Sequence, residues 1–376
     1  MISGGGTGGH LYPAIAIAEA LKKLDSSIEI LFVGALGKLE MEKVPQLGYS
    51  IIGLDIRGFN RSFSWENLKF PYRLLKSYLM SRKILKDFKP QLTIGVGGYA
   101  SGPLLWAAGQ IGIPTLIQEQ NSYPGRTNLL LAKKAKVISV AYLGMDQFFE
   151  ASKIKLTGNP IRNSFLNSPI SKPHAIKEFG LVTDLPILLI LGGSGGAKVI
   201  NESILNGLDK IEQSKIQIIW QTGAAYYERI LLKVKEFLKG EINPAWKIIP
   251  FLDQIQSAYS ASDLIISRAG AGTISEISLM GKPVILVPSP NVAEDHQTKN
   301  AKALVQRNAA ILVPDSEAFE KVIPKALELI KNEEAKKQLS KNILSLSYPH
   351  ASEEIAQIIL DLAGVPGSNL ILNSKL

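Results

Sequence analysis

One five-residue glycine loop occurs twice in the chain: Gly5-Gly6-Thr7-Gly8-Gly9 near its start, and Gly192-Gly193-Ser194-Gly195-Gly196 half a chain later. The second follows an apolar run, Ile187 to Leu191, and both lead into helix-like sequence. Such a loop presents backbone N–H groups at a helix N-terminus, where the aligned peptide dipoles favour an anion. A third cluster, Gly95-Val96-Gly97-Gly98-Tyr99-Ala100-Ser101-Gly102, follows another short apolar run. Glycine at such junctions lets a ligand approach the backbone and permits positive φ. Tight turns account for any one cluster, but less well for all three. A fourth stretch reads Ser267-Arg268-Ala269-Gly270-Ala271-Gly272-Thr273-Ile274-Ser275-Glu276. Amides near Gly272 and Thr273 can hold a diphosphate there, and Glu276, one turn on, can accept two ribose hydroxyls. A first-turn glutamate also offsets the helix dipole, and this stretch alone leaves the two roles level.

Gly4, Gly6 and Gly9 match the G-x-G-x-x-G spacing of dinucleotide-binding folds. The acid expected about 20 residues further on, at the end of the second strand, is missing, because that strand closes Val33-Gly34-Ala35-Leu36. The second half offers no hydride-acceptor site either, so a dehydrogenase is disfavoured.

These loops need strands and helices to hold them. Short apolar strands alternate with helical patterns throughout, the mark of parallel sheets built from βαβ units. In the first half strands are expected over 28–33, 92–96, 115–118, 137–140 and 154–157, with a first helix over 13–24. In the second half they are expected over 187–191, 217–220, 247–249, 264–266, 284–287 and 310–313. Helices there span 197–208, 224–238, 272–280, 297–306 and 316–330, and a last helix over 351–363 follows the Ser347-Tyr348-Pro349-His350 break. The seam falls at Thr157-Gly158-Asn159-Pro160-Ile161-Arg162, turn chemistry between two complete α/β patterns. Only Met1-Ile2-Ser3 precede the first glycine loop, against five apolar residues before the second, so an incomplete first strand is expected.

At 376 residues, two domains are expected rather than one. An apolar content of 46% suits a globular chain with a sizeable core, and no stretch nears the ~18 apolar residues that span a bilayer. No basic leader precedes the glycine loop, which argues against a signal peptide. The absence of cysteine excludes disulfides, thiolate metal sites and a cysteine nucleophile, and fits a reducing cytoplasm.

The net charge of +9 calls for an anionic partner. Most of it lies in Arg57, Arg61, Lys69, Arg73, Lys76, Arg82, Lys83, Lys86 and Lys89, opposed within that segment by Glu66 and Asp87. Phe63, Trp65, Leu68, Tyr72, Leu75 and Leu79 are interleaved with Lys69, Arg73 and Lys76, largely at helical spacing, and Pro71 suits a first helical turn. The segment reads as a peripheral membrane face for an anionic leaflet; an ordinary helix with a solvated basic rim is the plainer alternative. No nucleic-acid-reading motif accompanies it, so nucleic acid is not an expected partner.

Ile2-Ser3-Gly4-Gly5-Gly6-Thr7-Gly8-Gly9-His10, Gly95-Val96-Gly97-Gly98-Tyr99, Glu119-Gln120-Asn121, Thr157-Gly158-Asn159-Pro160, Gly192-Gly193-Ser194 and the run from Arg268 to Glu276 follow one another in order. Over residues 2–363 this set closely resembles the bacterial peptidoglycan N-acetylglucosaminyltransferases that convert lipid I to lipid II. The resemblance implies an α/β protein of the GT-B fold. Two Rossmann-like parallel-sheet domains would face each other across a cleft, with the C-terminal helix crossing back to the first. It implies an acceptor- and membrane-binding domain over 1–160 with 345–376, and a UDP-sugar domain over 161–344. It further implies an inverting, metal-independent transfer from UDP-N-acetylglucosamine to the 4-hydroxyl of the muramyl sugar in lipid I, an undecaprenyl-diphosphate-linked MurNAc-pentapeptide. A peripheral place on the cytoplasmic face of the plasma membrane follows, with no cofactor and no metal. The sequence has no DxD-like pair beside a glycine loop, which fits that reading.

By the same resemblance Arg162, Ser194, Leu252 (through its backbone), Gly270, Ala271, Gly272, Thr273, Glu276 and Gln297 hold UDP-N-acetylglucosamine. Glu276 would take the ribose, and Arg162 and Leu252 the uracil. His296, which some members replace by glutamine, is open between a sugar contact and a helix cap. Thr7, Gly8, Gly9, Gly97, Gly98, Tyr99, Glu119 and Asn121 fall on the acceptor side or against the donor sugar. His10 is the candidate general base, since an imidazole titrates near neutrality and here begins a helix after a flexible loop. Binding the acceptor diphosphate and orienting the loop are the other roles open to it, and Glu119 is a weaker competitor as base. Two other readings are kept: another GT-B UDP-sugar enzyme, such as a glycolipid glucosyltransferase or a UDP-sugar epimerase, and a non-catalytic UDP-sugar-binding membrane protein.

Overall fold

The fold is that of a computed structural model, which describes residues 1–58, 70–161, 165, 169–193 and 195–364. The chain divides into two compact units, residues 1–163 with 348–376, and residues 164–347. In the first, β1 (Ile2–Ser3), β2 (Leu31–Ala35), β3 (Ser50–Leu54), β4 (Thr93–Gly95), β5 (Thr115–Glu119), β6 (Val137–Val140) and β7 (Ile154–Leu156) form a seven-stranded sheet ordered β3-β2-β1-β4-β5-β6-β7. In the second, β8 (Ile187–Leu191), β9 (Gln217–Gln221), β10 (Trp246–Ile249), β11 (Leu264–Ser267), β12 (Val284–Leu286) and β13 (Ile311–Leu312) form a six-stranded sheet ordered β10-β9-β8-β11-β12-β13. Every described pairing is parallel. Parallel neighbours need long crossovers, and the helices that make them cover both sheet faces. That is why β8 reads as an unbroken apolar run, all five residues buried.

In the first unit, two-residue β1 joins β2 to β4, with Ile2 opposite Phe32 on one side and Ile94 on the other. The helix Gly8–Leu24 begins five residues earlier than the expected position 13, so Pro13 lies inside it. So near the start, Pro13 removes only one helical bond, the one its own N–H would give to the Gly9 carbonyl. Leu11, Ala14, Ile15, Ile17, Ala18 and Leu21 of this helix share a core cluster with Ile355, Ala356, Ile359 and Leu360. Full burial of each leucine or isoleucine among them stabilises by ~1.5–3 kcal/mol. The helix Ala351–Ala363 therefore belongs to the first unit, although the chain reaches it only after the whole of the second. β3 was not expected; it lies at a sheet edge and buries only Leu54 fully, so its apolar pattern is weak.

The second unit packs around Trp220, whose indole N–H donates to Asn201 Oδ1 at 3.0 Å. Asn201 in turn donates to the Thr222 carbonyl at 2.9 Å, so the buried amide is paired on both sides. Among the described residues, no helix is long and apolar enough to cross a membrane.

Candidate functional sites

Each sheet reverses its winding once, between β1 and β4 in the first unit and between β8 and β11 in the second. In open α/β sheets ligands bind beyond the C-terminal ends of the strands that flank such a reversal. The four stretches singled out in the sequence leave those same four strands.

In the first unit the loops after β1 and β4 touch backbone to backbone. Gly98 has φ +87°, and a Cβ on it would stand 2.3 Å from the Gly5 carbonyl oxygen. Gly97 has φ +95°, and a Cβ there would lie 2.6 Å from Cδ2 of His10, so the imidazole is laid across a position that only glycine fits. His10 is half-buried in the first turn of its helix, with Nδ1 3.2 Å from the Gly5 carbonyl oxygen. A carbonyl only accepts, so the neutral ring carries its proton on Nδ1 and its lone pair on Nε2. Thr7 stands exposed at the N-cap without a side-chain capping bond, Gly8 is half-buried and Gly9 exposed. Tyr99, also exposed, directly follows Gly98.

Beneath the first loop lies a carboxylate that sequence reasoning missed. Glu40 is fully buried; its Oε2 accepts from Gly6 N–H at 2.8 Å and its Oε1 from Ala35 N–H at 3.0 Å. A Cβ on Gly5 would fall 2.2 Å from its carboxyl carbon, and one on Gly34 would fall 2.6 Å from its Cγ. An acid thus does stand just past the end of β2, turned inward to the loop. The available signal was glycine at both positions 5 and 34, each leaving room for the same side chain.

Glu119 ends β5, buried, with four donors. Oε1 accepts from the Asn121 backbone N–H at 3.0 Å and side chain at 3.3 Å, and Oε2 from Gly125 N–H at 3.1 Å and Asn128 Nδ2 at 2.7 Å. Burial pushes its carboxyl pKa up, and these donors pull against that rise. Both oxygens are engaged in shaping the loop that carries Asn121. Gln120 ties this loop to its neighbour by donating to the Val96 carbonyl at 2.7 Å. Thr7 to His10, Gly97 to Tyr99, Glu119 and Asn121 therefore gather beyond β1, β4 and β5.

In the second unit Gly193 (φ +81°) and Gly196 (φ +76°) close a tight turn, Gly196 N–H donating to the Gly193 carbonyl at 2.9 Å. A Cβ on Gly196 would lie 2.4 Å from the Thr222 carbonyl oxygen, and one on Gly223 would lie 2.5 Å from the Gly196 Cα. This loop rests mainly on backbone, with Gln221 Nε2 also donating to the Gly193 carbonyl at 3.4 Å. Gly270 is the N-cap of the helix Ala271–Leu279, whose first turn carries Gly272 and Thr273. Glu276, half-buried, accepts from the hydroxyl of buried Tyr259 at 3.1 Å. Arg268 donates to the Val287 and Pro288 carbonyls at 3.0 and 3.1 Å and pairs with Asp315, joining the loops after β11, β12 and β13.

Gln297 Oε1 accepts from Ser289 N–H at 2.8 Å, and Asn300 of the same helix, His296–Val305, donates to the Ala269 carbonyl at 3.4 Å. Gly270 to Thr273, Glu276 and Gln297 are thereby brought to one set of loops. Leu252 is buried after β10, two strands from β8 toward the sheet edge. His296 places Nδ1 2.7 Å from the Ala293 carbonyl, a capping contact, and burial lowers its pKa against the pull of that bond. Arg162 and Ser194 lie outside the described residues, as do Phe63, Trp65, Leu68 and Lys69.

Of the basic–aromatic segment, the helix Phe70–Phe88 is described, with Pro71 in its first turn. Tyr72, Leu75 and Leu79 are 68%, 57% and 55% exposed. Lys76 is exposed and Arg73 half-buried, each with a nitrogen 3.9 Å from Asp55. Among the described residues no cluster of histidine and carboxylate side chains suits a metal ion. At the opposite end of the second sheet a cavity of about 540 Å³ is lined by Asp263, Lys282 and Lys336, among others. Lys282 donates there to the Ser260 and Ser262 carbonyls, and burial pulls its pKa down to about 8.

Comparison with known proteins is consistent along the chain. The N-terminal domain of glycosyltransferase family 28 matches residues 1–140, and the C-terminal domain of that family matches residues 187–355. A UDP-N-acetylglucosamine--N-acetylmuramyl-(pentapeptide) pyrophosphoryl-undecaprenol N-acetylglucosamine transferase of Phocaeicola vulgatus is 54% identical over 363 residues, 96% of each chain. Among solved structures, MurG of Acinetobacter baumannii superposes with a TM-score of 0.77 at 28% identity, covering 96% of this chain and 98% of that one. A UDP-GlcNAc 2-epimerase of Neisseria meningitidis shares the fold, with a TM-score of 0.67 at 16% identity over 96% and 98% of the two chains.

Proposed function

We propose the function of this chain from the family to which it belongs, glycosyltransferase family 28: it transfers N-acetylglucosamine from UDP-N-acetylglucosamine to the muramyl sugar of lipid I, forming lipid II. The observation that carries this reading is the 54% identity to the Phocaeicola transferase over nearly the whole of both chains. The epimerase likeness extends to the fold alone, at 16% identity.

The two sets of loops divide the chemistry. In the second unit the first-turn amides of Ala271, Gly272 and Thr273 take the UDP diphosphate, Glu276 the ribose and Gln297 the sugar. Ser194 joins the diphosphate side, and Arg162 and the Leu252 backbone hold the uracil. In the first unit the acceptor lies against Thr7, Gly8, Gly9, Gly97, Gly98, Tyr99 and Asn121, on a loop shaped by Glu119. His10 Nε2 takes the proton of the muramyl 4-hydroxyl as its oxygen bonds to the anomeric carbon. The bond from that carbon to the β-phosphate oxygen breaks, UDP leaves with the electron pair, and the anomeric configuration inverts. Helix N-termini supply positive potential to the departing diphosphate.

The measurement is UDP release from UDP-N-acetylglucosamine, with and without a soluble lipid I analogue, in EDTA. Acceptor-dependent release that survives EDTA is expected; intact donor binding with no acceptor-dependent release overturns the transferase reading. Tyr72, Leu75 and Leu79, with exposed Lys76, Lys83 and Lys86, form the peripheral surface that meets anionic lipid on the cytoplasmic face. Each cation near such a surface contributes about 1 kcal/mol, so vesicle binding should weaken with salt. Equal binding to neutral and anionic vesicles at low salt would remove this face from the proposal.

A further inference from the structure

The peptide unit joining Gly5 to Gly6 is gripped at both ends by side chains. Its N–H donates to Glu40 Oε2 at 2.8 Å, and its carbonyl accepts from His10 Nδ1 at 3.2 Å. The second carboxylate oxygen is fixed by Ala35 N–H at 3.0 Å, and Glu40 is fully buried. A carboxylate at the N–H end polarises the peptide and makes its carbonyl oxygen a stronger acceptor. Hydrogen bonds in series reinforce one another in this way, most where water is excluded.

We propose that Glu40 is a positioning residue for His10, acting through the Gly5–Gly6 peptide: it holds the ring with its proton on Nδ1 and supports the positive charge that forms when Nε2 takes the acceptor proton. The logic is that of a carboxylate behind a catalytic histidine, with one peptide unit interposed. It rests on the reading of His10 as the base. The close packing around the relay agrees with it. Gly5 and Gly34 make room for the carboxylate, and Gly98 for the Gly5 carbonyl. The ionisable groups on the elements that carry and flank the ring are Tyr12, Glu19, Lys22 and Lys23 on its own helix, Tyr99 in the loop after β4, Glu119 at the end of β5, and Glu40, Glu42 and Lys43 on the helix Glu40–Gln46.

The test combines histidine ¹⁵N NMR of the full-length protein with kinetics of Glu40→Gln. In the wild type, the neutral His10 ring is expected as the Nδ1–H tautomer. In Glu40→Gln the His10 titration should move to lower pH by about half a unit, since a nearby negative charge has gone. The acidic limb of the kcat–pH profile should move with it. kcat should fall about 10- to 100-fold, less than the ~10²–10⁴-fold that the general base itself contributes, with KM for UDP-N-acetylglucosamine unchanged. An Nε2–H tautomer in the wild type overturns the relay, whether or not the variant folds. A lower kcat with an unmoved His10 titration also overturns it and leaves Glu40 a brace for the loop. A moved titration with kcat and profile unchanged upholds the relay and removes His10 as the base.

Discussion

The loops after β1 and β8 share a glycine pattern but stand on different supports. The first is pinned from below by the charged side chain of Glu40, which takes the Gly6 amide. The second is pinned by uncharged groups, Gly196 lying against the Thr222 carbonyl and Gly223 while the Gln221 side chain donates to the Gly193 carbonyl. Exposed amides at a helix start favour an anion in either place. A buried carboxylate beneath one of them opposes that preference and suits a site where a proton is accepted. The loop sequence shows that backbone is on offer, whereas the support decides which charge the site welcomes.

That contrast can be tested by substitutions in either unit. The largest effect is expected from His10→Ala, with kcat down by ~10²–10⁴-fold and the calorimetric Kd for UDP-N-acetylglucosamine within twofold of wild type. A matching loss of donor affinity would put His10 on the donor side and erase the division. Glu276→Ala should do the reverse, weakening donor binding by ~10–100-fold through the loss of charged hydrogen bonds, with the acceptor KM preserved. Gly196→Ala forces a Cβ against the Thr222 carbonyl at positive φ, and should cost ~1–3 kcal/mol of stability in thermal melts. A neutral result there would mean that the second loop does not depend on its backbone support.

The smallest effect belongs to Lys282, at the far end of the second sheet from these loops. Its folded pKa of about 8 lies below the ordinary 10.5, so between those values the unfolded chain holds a proton that the folded one lacks. Stability should therefore rise with pH through that window, by an amount on the order of 1 kcal/mol because the amine is only partly buried. Lys282→Gln should flatten that rise and leave kcat unchanged. A change in kcat would couple the far end of the sheet to the loops.

Much of the architecture was legible because its signals are local. The apolar run of β8 and the glycines at 97, 98, 193 and 196 announce a buried parallel strand and positive φ without reference to distant residues. Pro13 misled, since a proline near a helix start also fits a helix that began a turn earlier. β3 escaped notice as a half-exposed edge strand. The roles of Glu40 and Asp315 were illegible for another reason. One carboxylate meets a loop 34 positions away and the other an arginine 47 positions away, and only the folded sheets bring those pairs together. Glu119 is named in the sequence only through the resemblance, as a weaker candidate base, and nothing there shows a carboxylate already saturated by four donors.

The return of the helix Ala351–Ala363 to the first unit also bears on synthesis. Leu11, Ile15, Ile17 and Leu21 leave the ribosome early, yet the partners that complete their cluster, Ile355, Ile359 and Leu360, come only after all of residues 164–347. At ~5–20 residues per second, that delay is on the order of tens of seconds. Chains arrested before residue 351 are expected to bind a hydrophobic dye at the first unit, and released chains that include residues 351–363 are not. The unit that starts first is thus the one finished last, and for that interval the apolar side chains that its last helix covers stay open to water.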